Sequence, residues 1–210
     1  MATFADLKAR ITAEMKRDDL QDDTPNLLVK HIQDACEFYS DTKFWFNSIL
    51  TTVTTTANVA TVTIPSTVRI IERLTIPAYD RELREVTLVG LDETTSNAAP
   101  SHYSYYNDSI RFWPTPDAAY TLNVYGIAKV AAPAVDADTS IWTNEAAPLI
   151  AAHARMTLCR DVFRDPDGTK LAQGAITDWR TRLKRETARR LRTPLRSTMW
   201  AGEPFSITTG

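Results

Sequence analysis

Glycine is scarce in this 210-residue chain, at six residues, and histidine and cysteine are scarcer, at three and two. Each shortage excludes a chemistry. No phosphate-cradling loop of the GxxxxGK type exists among so few glycines. His31, His102 and His153 stand far apart, outside any HExxH, HxH or CxxCH setting, so the sequence signals no metal site and no cofactor. His153 falls beside an apolar helical stripe and reads as a half-buried helix residue. Cys36 and Cys159 lack a second ligand at binding spacing and fall on the apolar sides of predicted helices, which makes them buried free thiols. The carboxylate pairs Asp165/Asp167 and Asp136/Asp138 sit in turn and linker positions, where acids cap backbone N–H groups or solvate a loop. Nothing in this inventory earns a catalytic assignment.

A long apolar run is also missing. No stretch approaches the roughly 20 apolar residues of a membrane-spanning helix, and MATFADLKARITAEMKRDD reads as a charged amphipathic helix without a signal core. A cytoplasm-like compartment is the expectation. A formal net charge of −2 lacks the positive excess of a dedicated nucleic-acid binder. What remains, 43% hydrophobic and 24% charged residues, suits one good core or one core with a small appended module.

Periodicity divides the chain. Thr3 and Asp6 form a capping pattern, and Phe4, Leu7, Ile11 and Met15 recur at helical spacing, predicting a helix over about 3–18. Thr24-Pro25 restarts the chain, with Leu28, Ile32, Ala35, Cys36 and Tyr39 striping a second helix to about Lys43. From Ile49 the period is two: β-branched residues flank Ala57-Asn58, which reads as a hairpin turn, and Pro65 closes the second strand. Val68 to Ile76 continues as a strand, Leu83 and Val86 add a short one, and Leu88 to Glu93 leans to a short helix or turn.

The stretch YSYYNDSIRFWPTPDAAYTLNVY, Tyr103 to Tyr125, is the most informative. Asn107-Asp108 tolerates the positive φ angles of a two-residue hairpin turn between Tyr103-Tyr106 and Ile110-Trp113. Pro114 and Pro116 then stop pairing before Tyr120, Leu122, Val124 and Ile127 alternate again. Past the linker around Asp136 and Asp138, Leu149, Ala152, Met156, Cys159 and Phe163 return to helical steps. Asp165-Pro166-Asp167-Gly168 is a turn, and Leu171, Ala175, Trp179 and Leu183 stripe a last helix. The fold class expected is α+β: a bundle of about four helices from residues 1–47 and 144–190, an inserted antiparallel β-module over 48–130, a linker over 131–143 and a C-terminal arm over 191–210.

Two features invite a partner. The basic run Arg180, Arg182, Lys184, Arg185, Arg189, Arg190, Arg192 and Arg196 fits a solvated helix face, docking to an acidic protein or contact with DNA. The arm beyond it loses periodicity at Pro194, Gly202 and Pro204 yet carries Leu191, Leu195, Met199, Trp200 and Phe205, too much apolar surface for a free tail. The aromatic residues Tyr103, Tyr105, Tyr106, Phe112, Trp113 and Tyr120 read as cross-strand packing, with a subunit or tail interface as the other reading.

Most of residues 1–190 resembles the phage head-to-tail adaptor, or connector, family. The resemblance rests on Pro100-Ser101-His102-Tyr103 before a short turn, Ile110-Arg111-Phe112-Trp113-Pro114-Thr115-Pro116-Asp117, an alternating strand ending near Tyr125, an acidic loop with Trp142, and a helix from about Pro148 to Asp161. It implies a structural virion protein at the head–tail junction, assembled in the host cytoplasm. The family forms a homo-oligomeric ring, a dodecamer, between portal protein and a tail or nozzle protein, with transient contact to genomic DNA. Arg189, Arg190, Arg192, Leu195, Arg196, Met199, Trp200 and Phe205 are then candidates for portal binding. Tyr105, Tyr106 and Trp113 are candidates for a subunit or tail interface, and Arg182, Lys184 and Arg185 for the DNA channel. The rivals are a nucleic-acid-binding accessory protein using the basic helix and a hydrolase with unrecognised residues.

Overall fold

The computed structural model describes residues 1–17, 20, 26–87 and 97–191. Among these the element order is α1 (Phe4–Met15), α2 (Leu27–Tyr39), β1 (Ser48–Thr54), β2 (Thr61–Thr63), β3 (Val68–Ile76), β4 (Arg81–Glu85), β5 (His102–Tyr106), β6 (Ser109–Trp113), β7 (Thr121–Ala128), α3 (Ile141–Asn144), α4 (Ala147–Thr157) and α5 (Pro166–Arg190). A π-helical turn, Leu158–Phe163, joins the last two. The class is α+β, with five described helices rather than about four, because Ser140 caps an extra one-turn helix that carries Trp142 into the core.

The helices gather around α4. Its Leu149, Ile150, Ala151, Ala152 and Ala154 are all buried, so it is covered on more than the single stripe expected, and its alanines let α1, α2 and α5 approach closely. α1 begins with the anticipated capping box: Asp6 N–H donates to Thr3 Oγ1 at 3.2 Å and Thr3 N–H donates to Asp6 Oδ2 at 2.8 Å. α2 starts at Leu27 behind Asn26 in the left-handed region, φ 48°, and ends at Tyr39, short of Lys43. The Thr24-Pro25 start lies outside the described residues, as does the element expected at 88–93. Phe4, Leu7, Ile11, Leu28, Ile32, Phe44, Trp142 and Leu158 fill this core.

The strands make one curled sheet in the order β1-β7-β3-β4-β5-β6-β2. The β5–β6 hairpin turns as the sequence predicted, through Asn107 and Asp108 at φ 47° and 56°. The Ala57-Asn58 turn also forms, with Asn58 at φ 63°, but no hairpin follows from it. β1 pairs with β7, β2 pairs with β6, and the two stand at opposite ends of the strand order. The module is mixed rather than antiparallel, since β4 and β5 run parallel. Seven flat strands would hold β1 and β2 roughly 29 Å apart. The chain from Thr54 to Thr61 reaches at most about 24 Å, so the sheet must curl toward closure. Curling buries a second core of Val53, Val68, Leu74, Ile76, Leu83, Tyr103, Ile110, Phe112, Leu122 and Val124.

Gly126, in the middle of β7, sits where β3 is bulged between Val68 and Ile70 and again between Ile71 and Arg73. The bulge drives the Ile70 carbonyl oxygen to 2.0 Å from where a Cβ on Gly126 would stand. Charge ties the two cores together: the Arg69 guanidinium on β3 pairs with Glu37 and Asp41 beside α2, and Lys43 pairs with Glu72.

Candidate interaction surfaces

α5 is a 25-residue helix of which only Ala172 and Leu183 are buried. Asp165 caps it, accepting from the N–H groups of Asp167 and Gly168 at 3.1 and 3.0 Å. Seven of its side chains are basic and three acidic. Leu171, expected on the buried stripe, is 73% exposed. Steps of four drift about 40° each around a helix, so Leu171 stands about 120° from Leu183, whereas Ala172 is within about 20° of it. Trp179 is half-buried against the helical core, with the Arg182 guanidinium 5.0 Å from its ring centroid.

The predicted basic residues divide by face. Arg190 lies 4.4 Å over the Trp45 ring and pairs with Glu186 at 3.0 Å, so it helps dock the end of α5. Arg189 is 78% exposed and reaches the same Glu186. Arg182 and Arg185 are exposed three residues apart, while Arg180 and Lys184 are exposed one turn apart. Arg192, Leu195, Arg196, Met199, Trp200 and Phe205 lie outside the described residues.

Sequence reasoning missed a groove between α2 and α5. It has a volume of about 440 Å³, with Tyr39, His153, Met156 and Ile176 in its floor, Phe38 on one wall and Arg180 and Lys184 on the other. Phe38 is 63% exposed, and its ring meets those of Tyr39 and His153 at 5.0 and 4.8 Å. The available signal was an aromatic residue off the apolar stripe of α2. Burial holds His153 below the ordinary imidazole range.

The β-module presents aromatic side chains at two places. Tyr105 and Tyr106 are exposed on the β5–β6 hairpin, whereas Trp113, half-buried, lies 5.3 Å from His102 across the strands, so the three do not form one patch. At the sheet end away from α2, four connections meet. Thr55 N–H donates to the Tyr120 carbonyl, Asn58 N–H to that of Pro116, and Ala98 N–H to that of Thr115. Tyr79, 60% exposed, lies 6.0 Å from Tyr120. The Tyr120 hydroxyl donates to Asp117 Oδ1 at 2.5 Å, which pushes it up to about 12.

The remaining candidates lie apart from one another. Cys36 and Cys159 are buried and free, and burial pushes the Cys36 thiol up to about 12, far from a reactive thiolate. His31, His102 and His153 lie on α2, β5 and α4, and among the described residues no cluster of three His, Cys, Asp or Glu side chains is set to hold a metal ion. No described helix is long and apolar enough to cross a membrane.

A family model described as SU10 adaptor protein matches residues 2–198. The chain belongs to the SU10 adaptor protein family. The resemblance to phage head-to-tail adaptors therefore holds over nearly the whole SU10 adaptor chain, including both cores and α5. Membership makes it a structural adaptor of the phage virion, from a family of structural rather than catalytic proteins, whose partners are portal and tail proteins. No curated protein matches the sequence.

Proposed function

We propose that this adaptor forms a ring, twelve subunits by the resemblance, that docks beneath the portal vertex, extends the DNA channel and seats the next tail component. The observation that carries the reading is α5, a long basic helix with two buried side chains that leads directly into the apolar arm. A helix built this way belongs to an assembly surface. Within that reading the helical parts, 1–47 and 144–190, form the ring body with the portal side. Residues 48–130 project as the module that meets the tail, offering Tyr105, Tyr106 and Trp113.

The arm, with Arg189 at its root, anchors to the portal, its arginines meeting acidic groups and its large apolar side chains entering grooves. Arg182 and Arg185, among the described residues without a carboxylate partner, face DNA in transit, and Lys184 shares the groove wall described above. Electron microscopy of the protein mixed with its portal tests this. A ring of adaptor density coaxial with the portal is the expected result, and portals bare of adaptor at saturating protein would overturn it.

A further inference from the structure

A second feature of the chain complements the α2–α5 groove. The loop Ala134–Ala137 is exposed throughout, with Val135 at 60% and Asp136 at 68%, although Asp136 also pairs with Lys8. An apolar side chain beside an exposed carboxylate matches an apolar groove rimmed by Arg180 and Lys184. Neither of those cations has a carboxylate partner among the described residues.

The loop is held rigidly. Asp138 Oδ2 accepts from the N–H groups of Ala134 and Val135 at 2.8 and 2.9 Å, and Asp138 N–H donates to the Val135 carbonyl at 2.8 Å. The first N–H groups of α1, on Phe4 and Ala5, donate to the Asp138 and Asp136 carbonyls, fixing the loop to the helical body. A preformed knob binds without the entropic cost of ordering a mobile loop.

Knob and groove lie on different flanks of the subunit. The loop is held to α2 through Gln33, whose Nε2 donates to the Pro133 carbonyl, whereas the groove uses Phe38. Five residues turn a helix by about 140° net, so one copy cannot fill its own groove with its own loop. Two different patches that fit each other make a heterologous contact, and repeated heterologous contacts close into rings.

We propose that the Ala134–Ala137 loop of one subunit seats in the α2–α5 groove of the next, with Val135 against Phe38 and Ile176 and Asp136 facing Arg180 and Lys184. This rests on the ring reading above and names the surfaces that build the ring. The phage particle carrying the full chain is the sample. Val135→Cys with Lys184→Cys gives a ladder of adaptor multimers on a non-reducing gel after mild oxidation, and each single variant gives at most a trace of dimer, Cys36 and Cys159 being buried.

Lys184→Glu reduces adaptor in purified particles at least tenfold, and adding Asp136→Lys restores it. Particles with normal amounts of the double-cysteine chain but only monomer on the gel overturn the contact. If that chain fails to enter particles, the charge exchange decides: loss without rescue by Asp136→Lys assigns the groove to an acidic segment of the portal or tail instead. Wild-type particles without any adaptor would overturn the ring reading itself.

Discussion

The Tyr39 hydroxyl and Nδ1 of His153 share a hydrogen bond of 3.1 Å across 114 residues of sequence, and their rings meet edge to face at 5.2 Å and 87°. This contact joins α2 to α4 in the groove floor, and the burial of His153 there makes fold stability depend on pH. Burial is the main cause that lowers the His153 pKa from 6.5, with Arg160 adding repulsion, and burial lowers His31 likewise. Below 6.5 the unfolded chain takes up protons that the folded chain resists, so stability is full above that pH and is lost as pH falls. Melting temperature should decline from pH 7 to 5, and His153→Gln should make the decline shallower. An unchanged slope would show that His153 titrates normally.

Trp142 and Trp179 should separate in cost. The first is fully buried edge-on to Phe46, with ring centroids 5.8 Å apart, and the second is half-buried. Trp142→Ala is expected to cost about 3–5 kcal/mol through transfer loss and cavity formation, and Trp179→Ala about 1–2 kcal/mol, because less of its surface leaves water on folding. Urea midpoints compare them directly, and equal shifts would contradict the burial difference.

Two glycines should respond in opposite directions. Gly126→Ala places a Cβ on the Ile70 carbonyl and should destabilise by about 3 kcal/mol, since neither partner is a flexible side chain. Around Gly174, on the open face of α5, a Cβ meets nothing within 4 Å. Gly174→Ala should therefore stabilise by about 0.5–1 kcal/mol through helix propensity alone.

Arg69→Ala removes both ion pairs to Glu37 and Asp41. The pairs are largely solvated, so global stability should fall by no more than about 1 kcal/mol, and less in high salt. Hydrogen exchange at the end of α2 and the start of β3 should accelerate together; protection unchanged at both would show that the pairs do not tie the cores.

Ending the chain at Leu191 keeps the whole of α5, including the Arg190 contact to Trp45. Thermal melting should stay within a degree or two of the full chain on the grounds that both cores are intact, while co-sedimentation with portals is lost. Retained co-sedimentation would remove the arm as the anchor.

Local chemistry was legible in the sequence where one segment decides its own shape. Asn107-Asp108 and Ala57-Asn58 both turn as their residue types demand, and Thr3 with Asp6 caps α1. Pairing across distance was not legible. Ala57-Asn58 joins strands that seek β7 and β6 instead of each other, because burial of the curled sheet outweighs the proximity of neighbours. The α5 stripe misplaced Leu171 for a geometric reason, the drift of four-residue steps. The basic helix could be read from charge alone, but the groove beside it could not, since its walls come from α2 and α5, far apart in sequence.

The pairing of β1 with β7 also sets a timetable for synthesis. Ser48 meets Ile127, seventy-nine positions later, and the first N–H groups of α1 find their acceptors only at Asp136 and Asp138. At roughly 5–20 residues per second on the ribosome, the opening helix and the first strand wait on the order of several seconds for their partners. Neither core can close before about three-fifths of the chain has emerged, so a nascent adaptor depends on late residues for the burial of its earliest ones.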